Sequence, residues 1–251
     1  MTKSTYLPEI GGIPDQMRGG RSVYEGYQRG WGLEFGDLRS KVAADPDYID
    51  AFEFARGRSV VSIDRLMNIF LLVKFFLPRL PHGHIVEYGS YRAGSAFFMG
   101  ALARKFLPQA RVYALDSYEG MPVTDKSVDA HNAGDFQNTS YEEVLSAKTR
   151  LGLDNVTVVK GFFEDTASAV LKEAGTVALA HVDCDIYEAV KYSYLVSKPH
   201  MVSRGYYVFD DSVVSSCIGA TEAVEEAVVR GDGLLSEQIY PHHVFRHPEK
   251  G

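Results

Sequence analysis

Short runs of β-branched and aromatic residues alternate with segments of helical periodicity along the chain after residue 83. This alternation is typical of βαβ units, in which helices connect parallel strands. The clearest helical segments are 94–106, 187–197 and 220–230. The runs that predict strands are 84–90, 111–117, 156–162, 177–184, 205–211, 234–240 and 242–247.

The last two predicted strands are separated by Pro241 alone, which favours a hairpin-like, antiparallel pair. The later strands of the parallel part are almost continuously apolar, as expected for strands that are covered on both faces. The pattern therefore predicts an α/β fold: a doubly wound, Rossmann-like sheet that is mostly parallel, with one antiparallel strand near its edge.

Residues 1–80 have a different pattern, with glycines and aromatic residues at 26–36 and an apolar helical stretch at 60–77. We expect an N-terminal helical cap there, and a core domain over 81–251. Within the core, segment 118–140 lacks periodicity and is long enough for a lid over a ligand site, although a solvated loop is the alternative. Several aromatic residues of the cap are candidates for an acceptor site, a subunit interface or the core: Tyr24, Tyr27, Trp31, Phe35, Phe52 and Phe54.

Composition narrows the class of partner. The chain has 251 residues, 45% of them hydrophobic, which is enough for one full-sized core. Its net charge of −7 repels phosphate backbones and anionic lipids, so neither nucleic acid nor a membrane is an expected partner.

No run is long and apolar enough to span a bilayer and the N-terminus lacks an apolar signal region, so a cytoplasmic location is expected. Cys184 and Cys217 lack metal-ligand spacing, so neither a disulfide framework nor a structural zinc site is expected.

A glycine turn follows the first predicted strand. Gly89 allows close approach of a ligand to the backbone, and Gly94 opens a helix whose free N–H groups favour anions. Asp116 ends the second strand, where a carboxylate accepts hydrogen bonds from both hydroxyls of a ribose. Together these features favour an adenosine-containing ligand, although a plain tight turn capped by Asp116 has the same pattern.

Four carboxylates end the two later strands. Period-two alternation places Asp183 and Asp185 on one side, and Asp210 and Asp211 reach the same edge of the sheet. A cation is the simplest neutraliser of this charge, and oxygen donors favour Mg²⁺, Mn²⁺ or Ca²⁺ over zinc. The alternative is that Asp185 and Asp211 cap the helices that follow. His181 lies on the same face, as a further site residue or as a core histidine.

With these residues in place, the sequence resembles the macrocin O-methyltransferase (TylF-like) family of class I S-adenosylmethionine-dependent methyltransferases. Ala93, Tyr91 and Cys184 depart from residues that are common in that family, and the first 60 residues match nothing recognisable. The resemblance covers about two thirds of the chain, in RLMN (65–68), EYGSYRAG (87–94), DSYEGMP (116–122), GFFEDT (161–166), DCDIYE (183–188) and GYYVFDD (205–211).

The resemblance implies specific roles. Asp183, Asp210 and Asp211 correspond to Mg²⁺ ligands, and Asp185 to the general base, with His181 as the other catalytic candidate because some members use a histidine. The N-terminal cap corresponds to the part that shapes the acceptor site and subunit contacts, so a homo-oligomer is expected. The cofactor-binding residues it implies are Glu87, Tyr88, Gly89, Ser90, Ser95, Asp116, Ser117, Phe163, Glu164, Asp165 and Asp183.

The expected function is therefore an S-adenosylmethionine- and Mg²⁺-dependent O-methyltransferase that acts on a sugar hydroxyl of a glycosylated natural product. Two enzymatic alternatives stay open: a catechol-type O-methyltransferase, and a hydroxylase whose related fold binds a metal and a cofactor. A non-catalytic protein that binds an adenosine ligand is the third. Cofactor binding, metal dependence and product mass distinguish them.

Overall fold

A computed structural model describes residues 37–249 and, as backbone only, residues 17–18 and 21–22. The latter form a small antiparallel pair, β1 (Met17–Arg18) and β2 (Arg21–Ser22). Four of the aromatic cap residues, Tyr24, Tyr27, Trp31 and Phe35, lie outside the described residues.

The centre of the described region is a seven-stranded sheet in the order β5-β4-β3-β6-β7-β9-β8. Strand β9 is antiparallel to both of its neighbours, and the other neighbouring pairs are parallel. This confirms the predicted doubly wound sheet with one antiparallel strand. The strands are β3 (His84–Tyr88), β4 (Val112–Asp116), β5 (Val156–Lys160), β6 (Val177–Val182), β7 (Met201–Phe209), β8 (Ser236–Gln238) and β9 (His243–Arg246).

Helices cover both faces of the sheet. The helix Ile218–Ala223 continues as a π-helical segment, Val224–Gly231. The helix Ile63–Leu71 is followed by a π turn, Leu72–Phe76, and then by a 3₁₀ turn, Leu77–Arg79. In chain order the helices are α1 (Leu38–Ala43), α2 (Pro46–Ala55), α3 (Ile63–Leu71), α4 (Gly94–Phe106), α5 (Tyr141–Arg150), α6 (Phe163–Ala174), α7 (Tyr187–Ser197) and α8 (Ile218–Ala223).

Local sequence sets several of these boundaries. Asp45 caps α2 by accepting a hydrogen bond from the Asp47 backbone N–H at 3.0 Å, and Ser140 caps α5 in the same way through Glu143 at 3.3 Å. Gly175, at φ +73°, ends α6, as glycine commonly does. These are short-range signals, and they place the helix ends independently of the sheet.

Two apolar clusters form the core, one on each face of the sheet. The first joins α4 and α5 to Tyr48 of α2 and Phe70 of α3, so residues 37–80 pack directly on the sheet domain. Phe52 and Phe54 are half-buried against the same cluster. The second cluster contains α6, α7 and α8. Because helices shield both faces, the parallel strands are apolar on both sides.

The observed strands follow the predicted ones, with shifted ends. Strand β3 stops at Tyr88 rather than 90, where Gly89 adopts φ +88°. Strand β7 begins at Met201 rather than 205, because Met201 pairs with Val177 across a register shift. None of the helices in the described part of the chain is long and apolar enough to cross a membrane.

Candidate active site

A cavity of about 440 Å³ opens at the carboxyl ends of β3, β4, β6 and β7. The strand order reverses between β3 and β6, which is where open α/β sheets bind ligands. Its volume falls in the range of small-molecule sites, about 300–1,000 Å³. The walls are the β3–α4 turn, residues 58–61, the loop after β4 and the starts of α6 and α7.

The glycine turn makes close backbone contacts possible. A Cβ atom on Gly89 would lie 1.7 Å from the Asp183 carbonyl oxygen, and one on Gly94 would lie 2.3 Å from the Ser59 nitrogen. The first contact joins β3 to β6 at the reversal point, and the second brings residues 58–61 against the start of α4. The two glycines therefore allow close contact of the β3–α4 turn with the end of β6 and with residues 58–61.

Asp116 organises the turn beside it. Its carboxylate accepts hydrogen bonds of 2.7 Å from the backbone N–H groups of Tyr91 and Tyr118, and it lines the cavity. Burial raises the pKa of Asp116, and these two hydrogen bonds oppose the rise. The side chain therefore holds both turns and still borders the cavity, while its predicted role in binding a ribose stays a prediction.

The structure brings most of the remaining predicted cofactor residues to the cavity. Ser90 lines it from the β3–α4 turn, Ser95 from the first turn of α4, Ser117 from the end of β4, and Phe163 and Glu164 from the start of α6. All five therefore line the same cavity as Gly89 and Asp116. This grouping follows from the topology, since β3, β4 and β5 are neighbours in the sheet.

Three of the predicted cofactor residues do not line the cavity. The Tyr88 hydroxyl lies 2.7 Å from the Ser197 hydroxyl in the second apolar cluster, and its ring packs edge-on against Phe163. Asp165 is exposed in the first turn of α6. Glu87 is fully buried beneath the cavity floor. Tyr88 and Glu87 alternate along β3, so their side chains lie on opposite faces of the sheet, and both are buried below the cavity.

The carboxylates of Asp183, Asp210 and Asp211 converge at the ends of β6 and β7. One oxygen atom from each carboxylate lies within 4.8 Å of the other two, and all three residues line the cavity. Burial, together with the neighbouring carboxylates, raises the pKa of Asp183 and of Asp211 well above the usual range. This charge would be relieved by a cation with a preference for oxygen ligands.

Asp210 is held differently from its two neighbours. It accepts hydrogen bonds from the Arg65 guanidinium and, at 2.8 Å, from His242, whose other ring nitrogen lies 3.1 Å from the Asn68 amide. Burial acts to raise the pKa of Asp210, but the adjacent imidazoles of His181 and His242 outweigh it and lower the pKa. Asp210 is thus an ionised, oriented carboxylate.

Sequence reasoning assigned no role to Arg65, Asn68 or His242. Arg65 and Asn68 stand in the RLMN run (65–68), but nothing in that run indicates what they contact. His242 precedes the last strand, and it is 174 residues from Asn68 in the chain. Only the placement of β9 beside β7 brings it to Asp210.

His181 lies under the site rather than in its wall. It is fully buried, with Nδ1 3.0 Å from a Glu87 carboxylate oxygen and Nε2 3.7 Å from Asp210. Burial alone would lower the pKa of His181, but the Asp210 and Glu87 carboxylates raise it to about 9. Of the two predicted catalytic residues, therefore, Asp185 faces the cavity and His181 does not.

Asp185 occupies a strained backbone position at the cavity wall. Its φ is +59°, and its N–H donates to an Asp211 carboxylate oxygen at 3.0 Å, which ties it to the carboxylate cluster. Its own carboxylate accepts a hydrogen bond from the Cys217 thiol at 3.4 Å and lies 3.7 Å from His131. Burial raises the pKa of Asp185, and the neighbouring His131 opposes the rise.

Segment 118–140 runs along the mouth of the cavity. Asp129 accepts a hydrogen bond from the Tyr187 backbone N–H at 2.9 Å, and so caps α7. Tyr91 binds the other end of the segment, through Asn138 at 2.8 Å and Thr139 at 2.9 Å. The residues of this segment that line the cavity are 120–125, Asp129 and Phe136. His131, which sequence reasoning also missed, reaches Asp185 from this segment.

Comparison with known proteins identifies the family. Residues 55–229 match the family model described as Macrocin-O-methyltransferase (TylF), which is more than half of the chain. The chain belongs to the macrocin O-methyltransferase family. It is therefore an O-methyltransferase, and the predicted resemblance is confirmed.

Individual relatives agree with this family. An enzyme of Streptomyces olivaceus, 8-demethyl-8-(2,3-dimethoxy-alpha-L-rhamnosyl)-tetracenomycin-C 4'-O-methyltransferase, is 29% identical over 184 residues, which are 69% of this chain and 70% of that protein. The O-methyltransferase NovP has the same fold, with a TM-score of 0.64 and 23% identity, over 80% of this chain and 88% of its own. The calicheamicin methyltransferase CalS11 superposes with a TM-score of 0.65 and 17% identity, over 93% of this chain and 98% of its own.

The three departures from common family residues lie close to the cavity. Tyr91 and Ala93 have φ of +50° and +58°, a region that favours glycine, and they form the turn before α4. Cys184 is buried between the two aspartates that follow β6. None of the three replaces a carboxylate of the cluster.

Proposed function

We propose that this methyltransferase transfers the methyl group of S-adenosylmethionine to a sugar hydroxyl of a glycosylated natural product, with the help of a divalent cation such as Mg²⁺. The observation that carries the proposal is the pairing, in one cavity, of a carboxylate cluster with the wall formed by Gly89 and Asp116. The Streptomyces relative, whose name describes a rhamnosylated substrate, supports a sugar acceptor.

The residues around Asp116 fit the cofactor. Asp116 would accept hydrogen bonds from the ribose hydroxyls, and Phe163 and Glu164 would lie beside the adenine. The absence of a side chain on Gly89 lets the end of β3 approach the end of β6, so the β3–α4 turn, along which the remainder of the cofactor would lie, borders the carboxylate cluster. When bound, the sulfonium supplies an electrophilic methyl group, and the protein's own contribution is to hold it in line with the acceptor oxygen.

The carboxylate cluster fits a hard divalent cation. Asp183, Asp210 and Asp211 offer oxygen donors only, and burial together with the neighbouring carboxylates raises the pKa of Asp183 and of Asp211. When bound, such a cation would stabilise negative charge on the acceptor oxygen. Arg65 and His242 hold Asp210 in place, so one ligand of the set is fixed beforehand.

Asp185 is the residue placed to accept the hydroxyl proton. It lines the cavity beside the cluster, and its pKa is raised by burial, which makes the carboxylate a stronger base than one in water. In the net reaction the methyl group moves from sulfur to oxygen as the O–H proton passes to Asp185. Segment 118–140 lies over this end of the cavity and would exclude water from it.

The first test is calorimetric titration of S-adenosylmethionine and S-adenosylhomocysteine into chelator-treated protein, with and without Mg²⁺. A nicotinamide dinucleotide serves as the control ligand. We expect binding of both sulfur compounds, none of the dinucleotide, and a separate Mg²⁺ binding event that Asp211→Asn weakens. Absence of binding by either sulfur compound would contradict the cofactor assignment.

The second test identifies the acceptor class by mass spectrometry of products. Rhamnosylated polyketides and simple catechols are each incubated with the protein, S-adenosylmethionine and Mg²⁺. We expect a mass increase of one CH₂ with a glycosylated acceptor only. Methylation confined to the catechols would replace the sugar proposal with the catechol-type activity, and a gain of one oxygen would indicate hydroxylation.

A further inference from the structure

His131, Asp185 and Cys217 meet beside the carboxylate cluster, although they come from three separate parts of the chain. His131 belongs to segment 118–140, Asp185 follows β6 and Cys217 precedes α8. The Cys217 sulfur lies 3.4 Å from the nearer Asp185 oxygen and 3.5 Å from His131 Nε2. His131 Nε2 lies 3.7 Å from the same Asp185 oxygen.

These three distances have the size expected for one face of a tetrahedral zinc site. Zinc binds sulfur at about 2.3 Å and nitrogen or oxygen at about 2.0–2.2 Å, so its ligand atoms are separated by about 3.3–3.6 Å. The observed triangle of sulfur, nitrogen and oxygen is within about 0.3 Å of these values. A cation would therefore be accommodated with little movement of the three side chains.

The surroundings of His131 match those of a metal-bound histidine. Its Nδ1 lies 3.4 Å from an Asp135 carboxylate oxygen, which leaves Nε2 directed at Cys217 and Asp185. Metal-ligating histidines usually have a carboxylate beside their second ring N–H, and Asp135 lies in that position.

The site is reachable but protected. The side chains of His131 and Asp185 are each 18% exposed, and Cys217 is 3% exposed. Asp185 lines the cavity, so a cation would enter from there. Its nitrogen, sulfur and oxygen donors favour Zn²⁺ or Co²⁺ over Mg²⁺, because thiolate and imidazole prefer softer cations.

We propose that His131, Asp185 and Cys217 form a second cation site, selective for Zn²⁺-like ions, which fastens segment 118–140 over the cavity. Occupancy of the site engages the carboxylate of Asp185. Zn²⁺ bound there therefore inhibits the enzyme, because it occupies the carboxylate that accepts the hydroxyl proton. This inhibition rests on the proposed function, in which Asp185 is the general base. The spacing of the two cysteines in the sequence carried no sign of such a site.

The test uses Co²⁺ as a spectroscopic probe on chelator-treated, full-length protein. The chain has two cysteines, so a near-ultraviolet thiolate-to-cobalt band must come from Cys184 or Cys217. We expect a stoichiometric band in the unaltered protein and in the matched control Cys184→Ser, and no band in Cys217→Ser or His131→Gln. Excess Mg²⁺ should leave the band unchanged. No band in the unaltered protein, or a band that persists in Cys217→Ser, would overturn the proposal.

A graded variant tests the role of Asp135. Removal of an outer-shell carboxylate typically weakens metal binding by about 10-fold or more, and we expect that loss of Co²⁺ affinity in Asp135→Asn. Unchanged affinity would contradict the arrangement around His131. This readout is independent of catalysis, so it stands even if the proposed acceptor is wrong.

Inhibition is measured separately. With Mg²⁺ at saturation, stoichiometric Zn²⁺ should lower turnover by about 100-fold or more, the usual contribution of a general base, and Cys217→Ser should escape this inhibition. If the cobalt band behaves as expected and Zn²⁺ leaves turnover unchanged, the inhibitory role is wrong and the cation site stands.

Discussion

Replacement of Gly89 by alanine tests the geometry at the centre of the site. Gly89 combines φ +88° with a tight contact, since an added Cβ would lie 1.7 Å from the Asp183 carbonyl oxygen. That oxygen belongs to backbone, which cannot rotate away as a flexible side chain would. The end of β3 must therefore separate from the end of β6 to admit the methyl group.

The expected cost has two parts. A left-handed conformation costs a residue with a Cβ about 1–2 kcal/mol, and overpacking of a tight interior costs about 1–3 kcal/mol more. We therefore expect Gly89→Ala to lower the free energy of unfolding by about 2–5 kcal/mol. For a chain of this size, each kcal/mol corresponds to about 2–4 °C in melting temperature.

Gly152→Ala is the matched control. Gly152 has φ +61°, but no atom lies within 4 Å of the position of an added Cβ, so this variant experiences the conformational cost alone. The two variants are compared by urea denaturation and by calorimetric titration with S-adenosylhomocysteine. We expect Gly89→Ala to be less stable than the control by about 1–3 kcal/mol and to lose cofactor binding, which the control retains.

Equal destabilisation of the two variants would refute this reasoning, because the contact with Asp183 would then contribute nothing. Retention of full S-adenosylhomocysteine affinity by Gly89→Ala would separately contradict the placement of the cofactor along the β3–α4 turn.

Three further substitutions test individual side chains. Asp185→Asn should lower kcat by about 100-fold or more with S-adenosylhomocysteine affinity unchanged by calorimetry, and full turnover would exclude Asp185 as the base. Asp211→Asn should raise the melting temperature of chelator-treated protein, because it removes one of several crowded negative charges. The same variant should lose the rise in melting temperature that Mg²⁺ causes, and an unchanged Mg²⁺ response would exclude Asp211 as a ligand. Arg65→Met should lower the free energy of unfolding in urea by about 3 kcal/mol, because it removes the guanidinium that pairs with the buried Asp210 and leaves that carboxylate only the imidazoles of His181 and His242; a loss below about 1 kcal/mol would show that this ion pair is not structural.

The secondary structure was largely predictable because its signals are local. Helices 94–106 and 187–197 have the bounds expected from their periodicity, and the hairpin-like pair around Pro241 supplies the antiparallel strand. Where a boundary depends on a distant partner, as at the start of β7, the periodicity misplaced it.

The candidate site was predictable to the extent that it depends on strand ends. Parallel strands end at a common edge, so Gly89, Asp116 and the four aspartates had to meet once the strand order was known. The alternation of side chains along a strand did not predict which of them face the cavity. Tyr88 and His181 were predicted as site residues, but the structure directs Tyr88 to the opposite face and places His181 beneath the floor.

By itself, the sequence determined the fold class, the family and the edge of the sheet at which the candidate site lies, because periodicity, turn residues and strand-end carboxylates are all short-range features. Tertiary structure alone decided which side chains surround those carboxylates. Arg65 and His242 reach Asp210 across 145 and 32 residues, and His131 and Cys217 are 86 residues apart. Such contacts depend on how helices and loops pack over the sheet, and no local pattern in the chain encodes them.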